Sequence, residues 1–99
     1  SQTIFLYFPH KIERASNGRG ISVPFDNHVV GAAIRTLRTE KHMTQEMLSA
    51  FAGIARTHLT MIENGQKQAN LETIWKLAEA LEIRPSKLVE RIEQMEESV

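Results

Sequence analysis

The sequence predicts an all-α domain of five short helices preceded by an extended N-terminal arm. Three observations carry that expectation. Apolar residues recur at three- and four-residue spacing from about residue 28 onward, the signature of helices with one buried face. Helix-starting and helix-stopping residues fall between those stripes at the right places. The first 27 residues have a different texture, mixing β-favouring aromatics with turn formers. We therefore divide the chain into an arm, residues 1–27, and a helical domain, residues 28–99.

In the arm, Ile4-Phe5-Leu6-Tyr7-Phe8 is an uncharged run of β-favouring residues ended by Pro9. Ser16-Asn17-Gly18-Arg19-Gly20 reads as a loop. Ile21, Val23 and Phe25 then alternate with Ser22 and Pro24, a second short strand that the proline would confine to an edge. A hairpin or a strand exchange with a second copy through Phe5 and Tyr7 would both suit this pattern.

The helices follow in order. Asp26 or Asn27 can cap the first, whose Val30, Ala33, Ile34 and Leu37 form one face. Thr44 caps the second, which carries Met47, Leu48 and Phe51 and stops at Gly53. The third spans residues 56–63 with Leu59 and Ile62 inward. Asn70 caps the fourth, with a stripe of Leu71, Ile74, Leu77, Ala78 and Leu81. Pro85 suits the first position of the fifth, which carries Leu88, Val89, Ile92 and Met95.

Composition narrows the function. Apolar residues are 41% and charged residues 24% of the 99, as in ordinary globular domains. The chain has no cysteine, which leaves no disulfide framework or thiolate metal site and fits the cytoplasm, the expected location. No apolar run reaches the roughly 20 residues of a membrane span, and no signal-peptide pattern is visible, so no membrane partner is expected. His10, His28, His42 and His58 lack metal-ligand spacing. With no nucleophile–base pair, phosphate loop or metal cluster, neither catalysis nor a cofactor is expected. The formal net charge is zero, yet residues 1–60 hold seven Lys/Arg against four Asp/Glu, and residues 61–99 hold five against eight. The basic excess thus lies toward the segment that follows.

That segment runs from Thr44 to Gly65. Two short helices meet at a turn around Gly53, and Leu48, Ile54, Leu59 and Ile62 hold their crossing. Ser49 and Ala52 are small enough for close approach. A pair of this kind presents its second helix as a ridge able to enter a groove about 12 Å wide.

The motifs Ile34-Arg35-Thr36-Leu37-Arg38, Thr44-Gln45, Leu48, Gly53-Ile54, Leu59, Ile62-Glu63-Asn64-Gly65 and Leu77-Ala78-Glu79-Ala80-Leu81 stand in one register from Val30 to Leu88. In that register the chain resembles the lambda-repressor-like, Cro/CI-type (xenobiotic-response-element) family of helix-turn-helix regulators. Three positions depart from the family pattern. His42 stands for a helix-ending glycine, Ala55 for the Ser or Thr cap of the recognition helix, and Ala69 for a common proline.

The resemblance implies a lambda-repressor-like DNA-binding domain and a double-stranded DNA operator as partner. It puts Gln45, beside Thr44, on the DNA backbone, where the helix dipole supports a phosphate contact. Arg56 is the candidate base reader, since a guanidinium can bond guanine bidentately, with a plain phosphate contact as its alternative. Thr57 offers a hydroxyl and a methyl. His58, Thr60 and Met61 lie further along or on the flank, and Met61 equally suits partial core packing. Arg38 and Glu63 should pair between the first and third helices. That pair would set Asn64, Gln66 and Lys67 against phosphates. A homodimer is expected, with Trp75, Val89, Ile92 and Met95 as candidate interface residues; Trp75 could also be a rim residue of the monomer core. The leading reading is a transcription regulator, a repressor. The alternatives are an antitoxin whose arm neutralises a toxin protein while the domain controls its operon, and a bundle that binds protein alone.

Overall fold

The computed structural model describes residues 25–97, and all of their regular structure is helical: α1 (Asn27–Glu40), α2 (Gln45–Ala52), α3 (Arg56–Glu63), α4 (Leu71–Ala80) and α5 (Pro85–Glu97). The two strands expected in the arm, with Phe5 and Tyr7, lie outside these residues except for Phe25, which is exposed and irregular. Helix α1 begins at Asn27, one residue inside the segment assigned to the arm.

Three of the five starts have a side-chain cap. The Asp26 side chain accepts from the His28 N–H, Thr44 from Met47, and Asn70 from Thr73, each satisfying a donor that the first turn leaves open. The ends share one device. At the close of α1, α2, α3 and α4 the chain turns through a left-handed residue, His42, Gly53, Gly65 and Glu82 respectively. The next residue's N–H then reaches back to the last turn: Met43 to Arg38 (3.0 Å), Ile54 to Ser49 (3.0 Å), Gln66 to Met61 (2.8 Å) and Ile83 to Ala78 (3.0 Å). This is the Schellman closure, which places a hydrophobic residue after the turn against the helix just ended. Met43, Ile54 and Ile83 accordingly pack on the core. His42 adopts the left-handed conformation its position demands, with φ of 58°.

Helix α1 packs on α3 and α5, α2 on α3 and α4, and α4 on α5. Ile34, Leu48, Leu59, Ile62, Leu77, Leu81 and Leu88 are fully enclosed between them, each contributing about 1.5–3 kcal/mol by burial. Three residues of the expected stripes are outside. Met47 is 41%, Phe51 63% and Leu71 66% exposed. Helix α2 has eight residues and buries Leu48, Ser49 and Ala52, so its contact line leaves Phe51 on the flank. Leu71 opens α4 one turn before the line of Ile74, Leu77, Ala78 and Leu81 meets its neighbours.

One close approach sets the position of α3. Gly31 lies on α1 where a Cβ would come within 2.5 Å of the Glu63 carbonyl oxygen and 2.7 Å of its carbon, and would also strike the Ile62 carbonyl. The end of α3 therefore rests directly on the α1 backbone, a contact that a side chain at residue 31 would prevent.

Candidate nucleic-acid interface

The ridge is α3. Ala55 precedes it in extended conformation and makes no side-chain cap bond, so donors of the first turn are left for an outside acceptor. Arg56 and Thr57 are exposed, His58 and Thr60 half-buried, and Met61 is 40% exposed. Leu59, Ile62 and Glu63 hold the inner side.

Glu63 is the hub. Its side chain is fully enclosed and Arg38, 12% exposed, pairs with both of its oxygens. Arg38 Nε donates to Oε2 (2.7 Å) and Nη2 to Oε1 (3.0 Å), while Nη1 donates to the Met43 carbonyl (2.9 Å). Gln45 Nε2 donates to Glu63 Oε1 (2.9 Å), and Arg35 Nε lies 3.5 Å from the same oxygen. Burial by itself pushes the Glu63 carboxyl up. The bonds from Arg38 and Gln45, the Arg38 charge and the bond from Arg35 outweigh burial and hold it below its ordinary value. No buried side-chain polar atom among the described residues lacks a partner, so the buried part of the network is satisfied.

Two branches leave the hub toward the surface. Thr60 Oγ1 donates to Gln45 Oε1 (3.0 Å), tying α3 to the start of α2. Arg35 Nη2 donates to Asn64 Oδ1 (2.9 Å) and lies 3.4 Å from the Glu63 carbonyl oxygen, holding the loop after α3. In that loop Gly65, at φ 76°, lies under the His28 ring, whose Cδ2 stands 2.5 Å from where a Cβ would be. Gln66 and Lys67 are exposed, and both their N–H groups bond the Met61 carbonyl.

The sequence-predicted residues thus separate into groups. Arg38, Gln45, Thr60, Glu63 and Asn64 belong to one hydrogen-bonded assembly, and Arg56 and Thr57 stand free beside it. Thr44 Oγ1 is taken by the Met47 N–H at 3.0 Å. Thr60, expected on the DNA-facing side, turns its hydroxyl inward to Gln45, because α2 crosses α3 within reach of that turn. Trp75 (57%) and Val89 (49%) are exposed on α4 and α5. Ile92, a candidate interface residue, is half-buried and packs on the core, since α5 lies along α1; Met95 is half-buried as well. Sequence reasoning missed the roles of Arg35, Gly31 and His28. Arg35 sits three residues before Arg38, on the same helix face, and that spacing was the available signal. A glycine inside α1 was the other.

The helix-turn-helix family pattern matches residues 34–88. An uncharacterized HTH-type transcriptional regulator, y4dJ, of Sinorhizobium fredii is 34% identical over 61 residues, covering 62% of this chain and 79% of that protein. Control protein C.BamHI of Bacillus amyloliquefaciens is 33% identical over 61 residues, 61% of this chain and 75% of its own. Among solved structures, the restriction-modification controller protein C.AhdI of Aeromonas hydrophila superposes with TM-score 0.61 at 39% identity, over 63% of this chain and 94% of that one. The controller C.Esp1396I, solved as a tetramer in complex with its natural 35 base-pair operator, superposes with TM-score 0.67 at 25% identity, over 74% of this chain and 96% of that one. The shared core, the turn at Gly53 and the Arg38–Glu63 pair all lie within the matched span, and the chain belongs to the XRE-type helix-turn-helix family of regulators.

Proposed function

We propose that this protein is a sequence-specific, double-stranded DNA-binding transcription regulator, a repressor, that enters the major groove with the first turn of α3. The observation that carries this reading is that turn itself: Arg56 and Thr57 are exposed and the helix start lacks a side-chain cap. Arg56 reads a guanine edge and Thr57 a neighbouring base, with His58 and Met61 on the flanks. Gln45, Asn64, Gln66 and Lys67 grip phosphates and set the register of α3 in the groove.

One recognition helix spans too few base pairs for useful specificity, so two copies act on half-sites about 34 Å apart. The tetrameric operator complex of C.Esp1396I supports assembly on DNA. Trp75 and Val89 are our candidate contacts between copies, with Ile92 and Met95 at their edge. We place the protein in the cytoplasm with no catalytic activity. The antitoxin alternative rests on the arm, residues 1–27, of which 1–24 lie outside the described residues, and no described residue favours it.

Selection of bound sequences from a random DNA pool at two salt concentrations tests the reading. A two-fold symmetric site should be enriched, and log affinity should fall against log salt by about 0.9 per phosphate contact. Arg56→Ala should then lose preference at one position of each half-site. A pool without enrichment, or binding indifferent to salt, refutes the proposal.

A further inference from the structure

Two side-chain amides border the recognition helix, and their orientations follow from chemistry alone. Arg35 can only donate, so the Asn64 group facing it at 2.9 Å is the oxygen. The ionised Glu63 can only accept, so the Gln45 group facing it at 2.9 Å is the nitrogen. It follows that the Gln45 oxygen faces Thr60, at 3.0 Å. The Thr60 hydroxyl has one proton, shared between two acceptors at 3.0 Å, that oxygen and the Arg56 carbonyl. It therefore joins the first turn of α3 to Gln45. With its oxygen taken by Thr60 and one amide hydrogen by Glu63, Gln45 keeps one N–H without a protein partner. That remaining group is a donor, fit for an anionic oxygen.

We infer that Thr60 is a positioning residue: its hydroxyl clamps the Gln45 amide so that the remaining N–H is presented to a DNA phosphate, and Thr60 itself reads no base. This rests on the DNA-binding reading above. Glu63 forbids the flipped amide, whereas Thr60 stops it from swinging about the single bond to Glu63. Asn64 is held the same way by Arg35, so the start of α2 and the end of α3 both present fixed donors before DNA arrives. Fixing them in advance removes an ordering cost from binding.

The test uses Thr60→Val, which keeps the shape and removes the hydroxyl, and Thr60→Ser, which restores it, each alone and with Gln45→Ala. Binding is measured on the sequences selected by the unaltered protein, and the Gln45 side-chain amide hydrogens are followed by NMR in the free protein. We expect Thr60→Val to weaken all selected sites about 3- to 10-fold, the worth of one hydrogen bond, with base preferences unchanged. Thr60→Ser should bind like the unaltered protein. In the Gln45→Ala background Thr60→Val should cost nothing further, because the group it positions is gone. In the free protein the two Gln45 amide hydrogens should be distinct and should move together when residue 60 is valine. Amide signals indifferent to Thr60→Val overturn the inference, as does a base preference altered at one position or an equal loss in both backgrounds. If the unaltered protein enriches no sequence, the DNA-binding reading itself fails. Enrichment followed by equal losses sinks the role of Thr60 alone.

Discussion

Replacing Glu63 by glutamine probes the centre of the molecule with almost no change of volume. Both carboxylate oxygens accept from Arg38, at 2.7 and 3.0 Å. A glutamine turned either way therefore sets its NH2 against an Arg38 N–H, and the guanidinium keeps its charge without a counter-charge. Removing one partner of a buried pair costs about 3–5 kcal/mol. Arg38 retains its bond to the Met43 carbonyl and some contact with water, which points to the lower end, about 3 kcal/mol. For a domain of this size that is a fall in melting temperature of about 12–24 °C, readable by circular dichroism at pH 7. The pH dependence supplies a second reading. The folded-state value of Glu63 lies below its ordinary 4.5, so its stabilisation is complete above the ordinary carboxylate range and lost as the pH falls through and below it. The unaltered protein and Glu63→Gln should therefore converge in stability on acidification. A loss under about 1 kcal/mol at pH 7, the size of a surface pair, or a gap that persists in acid, refutes the reasoning.

Other substitutions test the backbone. Gly31→Ala should cost at least the 1–3 kcal/mol typical of overpacking, about 2–3 kcal/mol in thermal melts, because the obstructing atoms are α3 carbonyls that cannot rotate aside; a neutral result would contradict the close approach. His42→Gly and Glu82→Gly relieve left-handed residues that cost about 1–2 kcal/mol each. After the added flexibility of the unfolded chain, each should gain about 0.5–1 kcal/mol as a higher urea midpoint at unchanged slope; a loss would mean that the side chain contributes more than the strain. Ala55→Ser should supply the missing cap of α3, raising stability by about 1 kcal/mol and slowing amide exchange in its first turn; unchanged exchange would show that this turn is held by other means.

Much of the fold was legible because its causes are local. A cap bonds two or three residues ahead, and a Schellman turn closes within six, so Thr44, Gly53, Asn70 and Pro85 could be recognised one segment at a time. The core stripe was legible for the same reason, since Ile34, Leu59, Leu77 and Leu88 repeat with the helix. Phe51 and Leu71 marked the limit. Periodicity identifies the apolar face of a helix, but how much of that face is covered depends on the length and angle of the neighbour, which lie elsewhere in the chain.

The site divides along the same boundary. The sequence by itself indicated where the helices begin and where α2 and α3 end, that α3 starts without a side-chain cap, and that Arg38 and Glu63 are paired by resemblance. Tertiary structure decided that Glu63 also gathers Gln45 and Arg35, from 18 and 28 positions away, and that Thr60 faces inward to Gln45. The physical reason is that a hydrogen bond needs its partners within about 3 Å. Only the crossing of α1, α2 and α3, made possible by the bare backbone at Gly31, brings those side chains that close.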